Sequence, residues 1–213
     1  MPSDGAPVVD RTMTYPTAAM IALNPRLERV GYGQACRGNA CVAVTLLPIS
    51  ERSAGTRTTY VPEIDPRSHN VGVPERLKVP IEFPPPDSSI AISSYRGDAQ
   101  TDPLTACPGY VAPTGPVIIL ALGHATNRTQ QVEVTAHSVR EDGKEVESCA
   151  FDADSYRNPD PTREQVMLGW LKSLGAVVII PREPLRPGHR YTVSLSADSD
   201  HYRWSFSVAP AAK

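Results

Sequence analysis

Hydrophobic and polar residues alternate most regularly near the end of the chain. In Arg190–Leu195, Tyr191, Val193 and Leu195 fall on one side, and Arg190, Thr192 and Ser194 on the other. In Tyr202–Val208, Tyr202, Trp204, Phe206 and Val208 share a face opposite Arg203, Ser205 and Ser207. A period of two places one face in a core and the other in water. Ala176–Ile180 is a continuous apolar run and predicts a strand buried on both faces. Pro181, Pro184 and Pro187-Gly188 make a rigid, non-helical link from it to Arg190. Together these runs predict the closing half of an antiparallel β-sandwich.

The pattern continues upstream. Val117–Leu122 predicts a buried strand, and Gln131–Val139 alternates with Val132, Val134 and Ala136 on one face. Glu141-Asp142-Gly143-Lys144 reads as a hairpin turn, with Glu145–Cys149 as the return strand. Phe151–Pro161 is a polar loop. Thr162–Leu174 predicts a helix, with Thr162 as cap and Gln165 completing a capping box. Val166, Met167, Trp170, Leu171 and Leu174 form its apolar stripe, and Gly175 ends it. About seven strands between 117 and 208, with the helix inserted as a crossover between sheets, predict an Ig-like antiparallel sandwich over residues 116–213. The fold class is mainly β.

The first half is patterned differently. Met13–Leu23 predicts a short helix, with Pro16 in its first turn and Asn24-Pro25 ending it. Val30–Gly33 and Val42–Leu47 flank Gly38-Asn39, which is good turn chemistry for a hairpin. Residues 1–50 are too few to bury a good core alone, so this helix and hairpin pack on the rest or end a larger domain. Residues 51–115 read as a Pro-rich connector, extended at Pro84-Pro85-Pro86. Short strands are expected within it at Val79–Phe83 and Ile90–Ser93. The Pro run reads as a spacer, because basic residues at docking spacing are missing.

Composition narrows the class. The 22 Pro residues are about twice the usual share, which suits turns and extended connectors. Lys and Arg total 21 against 23 Asp and Glu, a formal net charge of −2. Neither sign has the surplus for a strong field, which argues against a nucleic-acid or polyanion partner. No apolar run approaches a membrane span. The first residues show no basic or apolar export pattern, leaving a cytosolic protein or a chain that starts downstream of an export segment.

The four Cys bear on that choice. Cys36 and Cys41 lie across the expected hairpin turn from each other, which favours their pairing. Cys107 and Cys149 pair by elimination. Four Cys allow three connectivities, and sequence alone does not select one. An even count with cross-hairpin spacing leans towards an oxidising compartment, secreted or periplasmic. The alternative is four buried, reduced thiols. Zinc is disfavoured by the lack of a C-x2-C pair and the scattered His.

The run Leu23-Asn-Pro-Arg-Leu-Glu-Arg-Val-Gly-Tyr-Gly33 resembles the end of the conserved domain in bacterial members of the CAP superfamily, the cysteine-rich secretory, antigen 5 and pathogenesis-related proteins. Many such members continue through a Pro-rich connector into an Ig-like module. Glu183-Pro-Leu-Arg-Pro-Gly-His-Arg-Tyr-Thr-Val193, the closing Trp204-Ser-Phe206, and Asp102-Pro-Leu with Cys107-Pro-Gly-Tyr110 resemble that part. The CAP cavity is lined by two His and two acidic residues. Where the family has His-Arg, this chain has Tyr15-Pro-Thr-Ala-Ala-Met20, so no cavity residue carries over. The resemblance implies a CAP-like remnant over 1–50, a connector over 51–115 and a complete Ig-like module over 116–213.

No residue set assembles into a catalytic, cofactor or metal site. His69, His124, His137, His189 and His201 are spread out, and His124, His189 and His201 read as turn residues. Asp152, Asp154, Asn158 and Asp160 crowd one loop, yet no Gly stands where a twelve-residue Ca²⁺ loop needs it. They fit a solvated loop near a helix N-terminus. Ser173 lies on the helix, without a G-x-S-x-G elbow. Asn127-Arg-Thr matches a glycosylation acceptor, meaningful only in a eukaryotic secreted protein. Trp170, Trp204, Tyr202 and Tyr191 are candidates for a carbohydrate-stacking face, with core packing the default. The expectation is a non-catalytic, exported binding or spacer module, displaying loops 123–130, 140–144 and 150–161 to an unknown surface ligand or neighbouring domain. The alternative is an accessory part of a CAP-like hydrolase or protease.

Overall fold

The computed structural model describes residues 13–23, 80–97, 101–123, 132–197 and 199–210, and the backbone of 31–37 and 40–46. Two sheets dominate. The four-stranded sheet is ordered β3 (Ile81–Phe83), β5 (Ile118–Ala121), β9 (Ala176–Pro181), β8 (Ser148–Phe151), every pair antiparallel. The five-stranded sheet is ordered β4 (Ser89–Ile90), β11 (Asp200–Val208), β10 (Arg190–Ala197), β6 (Val134–Glu141), β7 (Lys144–Val146). Its pairs are antiparallel except β4 with β11, which is parallel.

Apolar residues of both sheets join one core cluster, with Ile119 and Val178 from one and Val139, Val193 and Phe206 from the other. Each such side chain contributes about 1.5–3 kcal/mol on burial. The strands β10 and β11 follow the predicted alternation, with Tyr191, Val193, Leu195, Trp204, Phe206 and Val208 buried. The strand β9 is buried at every position, as its unbroken apolar run requires.

The N-terminal helix α1 (Pro16–Ala22) starts with Pro16 in its first turn and buries Ala19 and Met20 in the same cluster. A backbone hairpin of β1 (Gly31–Arg37) and β2 (Ala40–Leu46) stands as a separate two-stranded sheet, with Cys36 directly opposite Cys41. The side chains of that pair lie outside the described residues. So do residues 1–11, His69, His124, Asn127 and nearly all of loop 123–130. A second pair, Cys107–Cys149, is a disulfide that fastens the segment after a short 3-10 turn (Pro103–Ala106) to β8.

Several expectations need correction. The short strands expected at Val79–Phe83 and Ile90–Ser93 are present but differently bounded, at Ile81–Phe83 and Ser89–Ile90, and they pair with β5 and β11. The predicted return strand at 145–149 is two strands. Lys144–Val146 pairs with β6, and Ser148–Phe151 pairs with β9, so the chain changes sheets at Glu147. The Arg182 N–H donates to the Glu147 carbonyl at 2.8 Å there. The helix α2 (Pro161–Leu174) is no crossover between sheets, because it joins β8 to β9, which are neighbours in one sheet. Its cap is Asp160, not Thr162: the Asp160 carboxylate accepts from the Thr162 and Arg163 N–H groups, which leaves Pro161 at the first helical position. Val166 is exposed, while Met167, Trp170, Leu171 and Leu174 are buried. Gly175 ends the helix in the left-handed conformation, at φ 53°.

The strand β6 breaks its own alternation. Ala136 pairs with Ser196, but Val134 pairs with Ala197, so Thr135 is an extra residue and makes a bulge. Beyond it the inward positions are His137, Val139 and Glu141, and Ala136 is exposed. The sequence period alone carries no mark of that extra residue.

Candidate functional site

The turn at Asp142-Gly143 sets one end of the five-stranded sheet. Both residues have positive φ, 46° and 88°, the geometry of a tight two-residue hairpin turn. A cluster of charged groups gathers beside it. The Glu141 carboxylate, 13 % exposed, accepts from Arg186 Nε at 2.7 Å, from Arg186 Nη2, and from the Tyr191 hydroxyl at 2.6 Å. The Arg186 bonds hold the Glu141 carboxyl at about 2, with the Tyr191 bond adding to them against the opposing effect of burial. Burial, and then the bond to Glu141, push the Tyr191 hydroxyl up to about 12. The Arg186 N–H donates back to that hydroxyl at 2.7 Å. His189 Nδ1 donates to Asp142 at 2.6 Å, and this bond is the largest cause lowering the Asp142 carboxyl. Each member is taken by another, so the cluster locks the corner between β9 and β10 to the β6–β7 turn.

The loop 152–160 is similarly self-satisfied. Asp152, 5 % exposed, accepts from the Asp154 and Ser155 N–H groups, the Ser155 hydroxyl and the Val134 N–H. Asn158 donates to the buried Tyr156 hydroxyl and accepts from the Asp160 N–H. Asp160 caps the helix. The Asp152 and Asp160 carboxylates thus serve backbone donors, and no group of three or more His, Cys, Asp or Glu poised for a metal occurs among the described residues.

The remaining histidines divide. His137 Nε2 meets the Ser148 carbonyl at 3.0 Å and ties β6 to β8 near the sheet change. His201 lies on β11 rather than in a turn, and its Nδ1 meets the Ser196 hydroxyl at 2.7 Å. Trp204 and Tyr191 are core residues, at 4 % and 1 % exposure, and Trp170 is buried too. Tyr202 sits half-buried on the same face of β11. The four aromatics do not form an open stacking platform.

The open chemistry lies on the other side of β6, β10 and β11. Cross-strand pairing builds rows there: His201, Ser196 and Ala136; then Arg203, Ser194 and Ser138; then Ser205, Thr192 and Arg140. Thr192 and Ser205 are bonded through their hydroxyls at 2.9 Å. A groove of about 250 Å³ runs over the first two rows. Arg203 and Arg140 are exposed, and no ion pair holds either among the described residues. Arg190, further along, is paired with Asp87 at 2.7 Å. The alternation of Arg190–Leu195 and Tyr202–Val208 already marked most of these positions as outward. Their joining across three strands came from register, which sequence did not carry.

The described residues are therefore mainly β, with two principal sheets that share one core and an open, hydroxyl-rich sheet face bearing two exposed Arg residues. No family model, curated protein sequence or solved structure matches it. No helix among the described residues is long and apolar enough to cross a membrane.

Proposed function

We propose that this chain is a non-catalytic, exported binding module, an Ig-like sandwich that follows a CAP-like remnant and binds through the outer face of β6, β10 and β11. The observation that carries the reading is that face: Ser138, Ser194 and Ser196 beside two exposed Arg residues, over an open groove. Such groups suit recognition of a ligand by hydrogen bonds and charge. The Ig-like assignment draws support from the two strand orders, with a short edge strand β4 parallel to β11. It also draws on Tyr191, whose hydroxyl reaches back to the backbone five residues upstream at the entry of β10. The Cys107–Cys149 disulfide supports an oxidising compartment.

The test is cosedimentation of the purified chain with bacterial cell-envelope fragments. Ser194→Trp, at the centre of the face, abolishes retention on this reading, while Val166→Ser on the exposed side of α2 leaves it intact. Equal retention of all three proteins, or retention of none, removes the proposal. A second reading, an accessory part of a CAP-like hydrolase or protease, is favoured by the run at residues 23–33. It requires that the chain enhance turnover only when joined to a catalytic domain.

A further inference from the structure

The face of β6, β10 and β11 carries two exposed cations that no ion pair holds among the described residues, and their spacing selects among ligands. Arg203 lies on β11 in the row of Ser194 and Ser138, while Arg140 lies on β6 in the row of Thr192 and Ser205. The two are separated by two strand spacings across the sheet and two residues along it, roughly 12 Å between backbones. Between them stand the hydroxyls of Ser194, Ser138, Thr192 and Ser205, with Ser196 and His201 at the groove's far edge. The pattern is two exposed guanidinium groups with a field of hydroxyls between, Arg140 having Glu145 opposite it on the outer strand.

A guanidinium presents a planar fork that matches a carboxylate through two parallel hydrogen bonds. Ser and Thr hydroxyls both donate and accept, which suits the hydroxyls of a sugar. The chain as a whole has a net charge of −2, so it generates no long-range attraction for a dense polyanion. Recognition at this face operates at contact range, on a ligand whose charges are sparse. Apart from the His201 imidazole at one end, these rows carry no aromatic ring, so the face has no series of aromatic platforms for successive bases of a single-stranded nucleic acid.

Resting on the binding-module reading above, we propose that this face binds an acidic oligosaccharide with carboxylates on spaced sugars, one on Arg203 and one on Arg140. The sugar hydroxyls between them lie over Ser194, Ser138 and Thr192. Glu145, opposite Arg140 on β7, bounds the site on that side and disfavours further negative charge.

The experiment is calorimetric titration of the full chain with a hyaluronan hexasaccharide, which bears a carboxylate on every second sugar. A neutral chitin hexasaccharide, a heparin hexasaccharide and a single-stranded oligonucleotide serve as comparisons. Hyaluronan is expected to bind best, and the neutral ligand at least about tenfold more weakly. Arg140→Ala and Arg203→Ala are each expected to lower hyaluronan affinity about tenfold. Both side chains are exposed, and near-ultraviolet circular dichroism confirms that the variants keep their fold. Absent binding, equal affinity for the neutral sugar, tighter binding of heparin or oligonucleotide, or indifference to both substitutions overturns the proposal. Envelope retention that is lost in Ser194→Trp while hyaluronan fails to bind would overturn the ligand class alone. Failure in both assays overturns the binding face itself.

Discussion

The Tyr191 hydroxyl donates to the Glu141 carboxylate at 2.6 Å, across the first paired position of β10 and β6. The same oxygen accepts the Arg186 N–H at 2.7 Å. One side chain thus ties the corner before β10 to the end of β6, while its ring stacks on Phe206 at 5.7 Å in the core. Tyr191→Phe keeps the ring and removes both bonds. Its expected cost is about 1–3 kcal/mol, because Glu141 and the Arg186 N–H lose a partner near the surface. Urea unfolding reads this as a lower midpoint with an unchanged slope. A midpoint equal to that of the parent would show that water replaces the hydroxyl at no cost.

Glu141 makes the fold acid-sensitive in a defined window. Its folded carboxyl sits at about 2 against an ordinary 4.5, chiefly through the Arg186 hydrogen bonds. A depressed acid contributes stability that is complete above 4.5 and is lost as pH falls from there through about 2. The contribution is on the order of 2 kcal/mol after solvent screening at the exposed Arg186. Glu141→Gln is therefore less stable than the parent at neutral pH, and the gap closes across this window. Denaturant midpoints of the pair at several pH values check it, and a pH-independent gap argues against it.

The disulfide closes a long loop. Cys107 and Cys149 are 42 residues apart, and cross-linking a loop of that length restricts the unfolded chain by about 4 kcal/mol. Cys107→Ala with Cys149→Ala is expected to lower the melting temperature by several degrees or more. The bonded pair also holds the segment after the 3-10 turn against the edge strand β8. Amide exchange in residues 148–151 should rise in the double variant, and protection equal to the parent would place the anchoring elsewhere.

Gly115 is a packing requirement. A Cβ there would stand 2.6 Å from Pro181 Cβ and 2.8 Å from its Cγ, atoms of a rigid ring. The Gly115 N–H also donates to the Pro181 carbonyl at 2.9 Å, so neither partner can withdraw without breaking the bond. Gly115→Ala is expected to destabilise by about 2 kcal/mol or more. Gly143→Ala, where nothing lies within 4 Å, is limited to its backbone strain at φ 88°. Thermal unfolding of the two should rank Gly115→Ala as the less stable, and the reverse order would sink the packing argument.

The sequence by itself determined the elements whose period is strong. The alternation in β10 and β11, the unbroken apolar run of β9, the Asp142-Gly143 turn and the Gly175 stop are local consequences of side-chain spacing and backbone freedom. Tertiary structure decided what depends on partners distant in sequence. The bulge at Thr135 is visible only against Ser196 and Ala197. The sheet change at Glu147 depends on which neighbours its flanking strands find. Short strands near Ile81–Phe83 and Ser89–Ile90 are expected from sequence, but only the pairing set their bounds and their partners, β5 and β11. The assignment of Asp160 over Thr162 as cap was within reach of the sequence, since Pro161 suits the first helical position. The candidate face was half legible: its outward residues follow from period two, but period two is blind to register. Only the pairing of three strands set Arg203, Ser194 and Ser138 in one row and Arg140 in the next.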